Sequence, residues 1–194
     1  MASTSRRAAS RENERDDTAR HITAADPTRS RVTDLDGELI RHHQAAFGWA
    51  LACCRWDPTL AEDVLQMSYL KVLDGRARAN GSADFRGFLF GVIRRTAMEE
   101  RRRRAIRSAL TLSFLQHDRV DAEGLDSIIS DEASRELVRA LEHLSARQRE
   151  VLMLVFYQDL TIAAAAEVLG ISLGSARVHY ERGKAQLRRL LGER

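Results

Sequence analysis

The sequence predicts an all-α protein: two small helical domains joined by a flexible linker. Three observations carry that expectation. Apolar residues recur at three- and four-residue spacing in segment after segment, the period of a helix with one buried face. No segment alternates apolar and polar residues over the length of a strand. One stretch, 107–129, lacks sustained periodicity apart from "ALTLSFL" and divides the chain in two.

Residues 1–32 mix Arg, Glu, Asp, Ser and Thr with almost no large apolar side chain. Such a segment buries too little surface to offset ordering entropy, so a disordered arm is expected. The first domain spans 33–106. Thr33 stands where a cap belongs, and Leu35, Leu39, His43, Phe47, Ala50 and Cys54 follow at helical spacing until "WDP" breaks the pattern. Thr59 with Glu62 reads as a capping box for "LAEDVLQMSYLKVL", which Asp74-Gly75 ends. After the small-residue loop "DGRARANGSAD", a third helix begins near Asp84. It carries Phe85, Phe88, Leu89, Val92 and Ile93, then runs into "RRTAMEERRRR".

The second domain spans 130–194. It restarts at Ser130, with Leu137, Val138, Leu141 and Leu144 on one stripe. Ser145 and Gln148 make a capping box for "RQREVLMLVFY". Thr161 caps a short alanine-rich helix that ends at Gly170, a residue free to take the left-handed backbone, and Ser172 caps the last helix.

Net charge is only +3 over 194 residues, but it is unevenly placed. Arg94 to Arg107 holds seven arginines against two glutamates, and Arg177 to Arg194 six basic against two acidic residues. Asp118 to Glu150 between them is net acidic. Two separated basic patches on a nearly neutral chain suit a polyanion touched at two places. The longest apolar run, "VLMLVFY", has seven residues, far short of a membrane span. The opening residues lack the apolar stretch of a secretory signal, so a cytoplasmic protein is expected. Adjacent Cys53 and Cys54 lie inside an apolar helical pattern and have no second pair at ligand spacing, which favours core packing over redox or metal chemistry. The six histidines show no metal spacing, and neither a phosphate loop nor a nucleophile elbow is present, so no enzyme, metal or cofactor is expected.

Residues 161–191 have the length and turn chemistry of a helix-turn-helix, whose second helix enters the major groove N-terminus first. In that geometry Ser175, Arg177, Val178, His179, Arg182 and Lys184 are the candidates for base edges and phosphates. The alternative is a helical hairpin with a solvated charged face. The "ERRRR" end of the third helix suits an electrostatic grip on phosphates, or equally a solvated face. Among the aromatics upstream, Phe85 and Phe88 fit the apolar stripe, whereas Phe90 is expected exposed, as a stacking platform for unpaired bases.

"AEDVLQMSYLKVL", "FRGFLFGVIRRTAMEERRRR" and "LSARQREVLMLVFYQDLTIAAAAEVLGISLGSARVHYERGKAQLRRLL" together resemble regions 2 and 4 of bacterial sigma factors, most nearly the small extracytoplasmic-function type. The resemblance implies a region 2 bundle of three or four helices, a region 4 helix-turn-helix, and binding to core RNA polymerase and promoter DNA. The helix of Leu60 to Leu73 would dock on polymerase, with Asp63, Gln66 and Met67 in the contact. The loop after it and the third helix would hold the melted minus-10 strand through Arg86, Phe90, Arg94, Arg95, Arg101 and Arg102. The last helix would read the minus-35 duplex. An anti-sigma protein is a further expected partner, and no membrane insertion is implied.

The chain departs from the family pattern in places. Met67 stands where an acidic residue is usual and Arg95 where asparagine is common. Ala163 and Ala164 replace an acidic pair, Val178 a serine, and Glu181 a basic or aromatic residue. The rival reading is a sigma-like decoy that sequesters an anti-sigma protein without touching DNA; such a decoy has no use for Arg177, Arg182, Lys184 or the arginine cluster.

Overall fold

The computed structural model describes residues 27–78, 84–110 and 131–192. They form α1 (Pro27–Cys53), α2 (Pro58–Leu73), α3 (Phe85–Leu110), α4 (Glu132–Glu142), α5 (Ala146–Leu152), α6 (Ile162–Leu169) and α7 (Leu173–Gly192). A π-helical turn, Met153–Tyr157, extends α5. No strand occurs among the described residues. The chain divides into a unit of residues 1–37, described only from Pro27, and a unit of residues 38–194 that contains the packed helices.

Local chemistry accounts for most element ends, with corrections in the first half. Helix α1 begins at Pro27 and not at Thr33; proline suits a first helical position, where no N–H is needed. Residues 1–26 of the expected arm lie outside the described residues. Helix α2 is capped by Asp57, whose carboxylate accepts from the Leu60 N–H at 2.9 Å, and not by Thr59. The proline of "WDP" thus starts a helix as well as ending one. Gly75, with φ of +68°, ends α2 as expected. Asp84 accepts from the Gly87 N–H at 2.7 Å and opens α3, which runs to Leu110, past the expected boundary at 106. Residues 111–130, most of the expected linker, lie outside the described residues. Asp131 caps α4 by accepting from the Ser134 N–H at 2.8 Å.

The second half follows its signals closely. Ser145 and Gln148 form both bonds of the capping box, Thr161 caps α6, and Gly170 ends it at φ of +62°. Ser172 caps α7 through the Ser175 N–H at 3.1 Å. Leu137 departs from its stripe and is exposed.

Trp49, Val64, Leu89, Phe90, Val92 and Ile93 fill the core between α1, α2 and α3. Trp49 donates its indole N–H to the Phe90 carbonyl at 3.0 Å. A second core joins Val138, Leu141, Val151, Leu152, Leu154, Ala165, Leu169 and Ala176 from α4 to α7. Helix α7 passes so close to α5 that a Cβ at Gly183 would lie 3.1 Å from Leu152 Cδ1. Cys53 and Cys54 are free and buried, in keeping with the packing role.

The two cores meet through polar groups as well as apolar ones. Gln158, buried at the end of the π-helical turn, donates to the Ala45 carbonyl at 3.1 Å and accepts from the Arg86 guanidinium at 3.0 Å. Its own carbonyl accepts from Arg86 as well. Arg94 on α3 donates to Glu150 on α5 at 3.1 Å. A Cβ at Gly48 would lie 2.9 Å from the Tyr157 ring, so the absence of a side chain on α1 there lets the π-helical turn approach.

Candidate nucleic-acid interface

The tight turn Gly170-Ile171-Ser172 sets α7 against α6, with Ala176 and Gly183 turned into the core. Residues opposite that buried line are therefore exposed. Val178, Glu181 and Ala185 form the middle of the outward face. Arg177 and Arg182 flank it on opposite edges, and Ser175 lies beside Arg182. The first two turns of a helix in this position face base edges, and flanking arginines meet phosphates or guanine.

Two candidates on α7 are already engaged. Lys184 pairs with Glu181 at 3.0 Å and lies 4.8 Å from the centre of the Tyr180 ring. Tyr180 in turn stacks on Phe156 at 5.7 Å between ring centres. The Ser175 hydroxyl takes part in capping, at 2.9 Å from that of Ser172. His179 is half-buried. Glu181, which the sequence marked only as a departure from the family pattern and not as a candidate site residue, is exposed beside Val178.

The first basic surface is rearranged relative to expectation. Phe90 is not exposed: it has no accessible surface, with Trp49 on one side at 6.1 Å and the Arg86 guanidinium on another at 5.4 Å. It is a core residue here and offers no stacking platform. Arg86 is held by Gln158. Arg94 is buried against Glu150. Arg95, Arg101 and Arg102 are exposed. Arg104 is tied to Asp57 at 3.4 Å and to Glu100 at 3.6 Å, and Arg103 to Glu100 at 3.7 Å. The outward-facing part of the cluster therefore includes Arg95, Arg101 and Arg102, with Arg103 and Arg107 exposed beside them and paired to Glu100.

Helix α2 offers a third surface. Asp63, Gln66, Leu70 and Leu73 share one exposed face at i, i+3, i+7 and i+10, with Met67 half-buried at its edge. Leu70 is 58% exposed, so this face is apolar as well as acidic. Nothing in the spacing of "LAEDVLQMSYLKVL" distinguished these leucines from core. Lys71, on the other side of α2, bonds to Thr96 at 3.1 Å and Glu99 at 2.7 Å and locks α2 onto α3.

The family model for Sigma-70 region 2 matches residues 39–106, and that for Sigma-70, region 4, matches residues 134–187. RNA polymerase sigma factor CarQ of Myxococcus xanthus is 28% identical over 165 residues, covering 85% of this chain and 94% of that protein. The extracytoplasmic-function sigma factor SigX of Bacillus subtilis (strain 168) is 28% identical over 138 residues, covering 69% and 71%. The chain belongs to the sigma-70 family, in its extracytoplasmic-function group. Solved structures share the sigma-factor fold. RpoE of Bartonella quintana, in a complex with the anti-sigma factor NepR, matches with a TM-score of 0.66 at 20% identity, over 82% of this chain and 97% of that one. CnrH, in a complex with the cytosolic domain of CnrY, matches with a TM-score of 0.55 at 22% identity, over 82% and 88%. Family members are non-enzymatic regulators of transcription initiation. No helix among the described residues of this sigma factor is long and apolar enough to cross a membrane.

Proposed function

We propose that this sigma factor binds core RNA polymerase through the exposed face of α2 and directs it to promoters read at two elements. The observation that carries this reading is the outward face of α7: exposed Arg177, Val178, Glu181 and Arg182 on the second helix of a capped helix-turn-helix. That helix takes the minus-35 element as duplex. Arg95, Arg101 and Arg102 on α3 take the backbone of the melted minus-10 strand, where exposed guanidinium groups release counterions from phosphate. Arg86 and Arg94 join them only by exchanging Gln158 and Glu150 for DNA.

On α2, Asp63 and Gln66 supply polar anchors beside the exposed Leu70 and Leu73, and Met67 fills the edge of the contact. An anti-sigma protein is the further partner this reading adds, and the protein acts in the cytoplasm. The expectation of two domains, 33–106 and 130–194, becomes the proposal that they separate to reach the two elements.

The test is run-off transcription with core polymerase, the full chain and fragmented genomic DNA, with start sites sequenced. Defined starts that require the chain are expected, and Arg177→Ala should relax preference at one upstream base pair by about 1–3 kcal/mol. A chain that binds an anti-sigma protein but produces no starts would be a decoy.

A further inference from the structure

We infer that Val178 and Glu181 form a reading pair on α7 that selects thymine and cytosine at neighbouring positions of the upstream element. The inference rests on the reading of α7 proposed above and names the base chemistry it takes.

Both residues sit at the centre of the outward face, opposite the buried line of Ala176 and Gly183. Val178 is 47% exposed and is flanked by charged and small residues, so its methyl groups are an isolated apolar spot on a polar surface. In the major groove the matching apolar feature is the thymine C5-methyl group, which no other DNA base carries.

Glu181 lies three residues on, with its side chain 65% exposed. Two rows of phosphates bound the groove and repel a carboxylate, so its favourable place is over the base edges between them. There it can only accept, and the cytosine amino group is a donor that points into the major groove. Arg177 and Arg182 on the edges of the same face meet the flanking phosphates or guanine and hold the carboxylate over the centre. Lys184 at 3.0 Å offsets part of its charge.

Three helical residues rise about 4.5 Å, against about 3.4 Å per base pair, which puts the two contacts on neighbouring pairs.

The test uses core RNA polymerase carrying the full chain and a library of promoter duplexes randomised over the upstream element. The wild-type complex is expected to enrich thymine beside cytosine. Val178→Ser should lose the thymine preference alone, and Glu181→Gln should move the cytosine preference to adenine, which an amide pairs with both ways. In the enriched duplex, deoxyuridine in place of that thymine removes only the methyl group. It should weaken wild-type binding about fourfold, the worth of one buried methyl-sized group, and leave Val178→Ser binding unchanged.

Equal wild-type affinity for the thymine and deoxyuridine duplexes, or preferences unmoved by both substitutions, overturns the reading pair while the enriched consensus still supports upstream recognition. A library from which no upstream sequence is enriched overturns the reading of α7 itself, and the pair with it.

Discussion

Arg94 Nε lies 3.1 Å from Glu150 Oε1, and the pair ties α3 to α5 with side chains only 10% and 15% exposed. Glu150 also accepts from Arg147 at 3.0 Å through its second oxygen. An ion pair this enclosed is sensitive to removal of one partner, because the charge left behind keeps its desolvation cost. Glu150→Ala is therefore expected to destabilise the protein by about 3 kcal/mol. Urea unfolding of the variant checks it, and an unchanged midpoint would mean that Arg94 is hydrated in solution.

Gln158 and Arg86 set stability against DNA binding. Removing the amide in Gln158→Ala leaves Arg86 and the Ala45 carbonyl short of a partner. A loss of about 1–3 kcal/mol follows from the unmet buried groups. The same change leaves the guanidinium held only by the main-chain carbonyl of residue 158, so affinity for a single-stranded minus-10 oligonucleotide should rise. Calorimetric melting and fluorescence anisotropy read the two effects; a fall in both stability and affinity would mean that Arg86 has no DNA role.

The two buried thiols give the protein a pH dependence on the alkaline side. Burial raises the Cys53 thiol, with Glu150 adding to it, and burial with Asp57 pushes Cys54 up to about 12 from an ordinary value of 9.0. Above pH 9 the unfolded chain ionises these groups while the folded chain keeps them protonated. The folded state then binds more protons, so stability present below that pH is lost as pH rises, by up to about 1.4 kcal/mol per pH unit for each thiol. Denaturation midpoints measured from pH 7 to 10.5 should be level at first and then fall. Iodoacetamide at pH 8 should modify neither cysteine until the protein unfolds.

The exposed end of the arginine cluster should show itself in salt dependence. Replacing both Arg101 and Arg102 with Ala is expected to lower the slope of log affinity against log salt by about 1.4 for a single-stranded probe, about 0.7 for each phosphate that an arginine no longer neutralises. Polymerase binding should not change, because the face proposed to meet polymerase lies on α2. A slope unaltered by the double substitution would make the cluster a solvated surface.

What the sequence disclosed was mostly what neighbouring residues decide among themselves. The caps at Ser145, Thr161 and Ser172 and the left-handed Gly170 are written in spans of a few residues, and they came out where the pattern put them. Asp57 was passed over in favour of Thr59 because the pattern registered Pro58 as a breaker and not as a first helical residue. The burial of Phe90 and the engagement of Arg86 and Arg94 escaped it for another reason. Their partners are distant in sequence: Trp49 for Phe90, Gln158 for Arg86, Glu150 for Arg94. Periodicity tells which side chains are apolar and which charged, but not which distant element will cover them. An arginine in a basic run therefore reads as surface even when a glutamate far along the chain buries it.

The central claim is that one chain, seated on polymerase, contacts two promoter elements at once. The measurement that tests it most directly is run-off transcription from a mapped promoter with base pairs inserted between the elements. Insertion of about five base pairs turns the upstream element to the opposite face of the duplex, since B-DNA completes a turn in about 10–10.5 bp. Transcription should collapse, and a full-turn insertion should not restore it, because an axial offset of about 34–36 Å remains. Equal transcript yield from the native and five-base-pair templates would contradict the account.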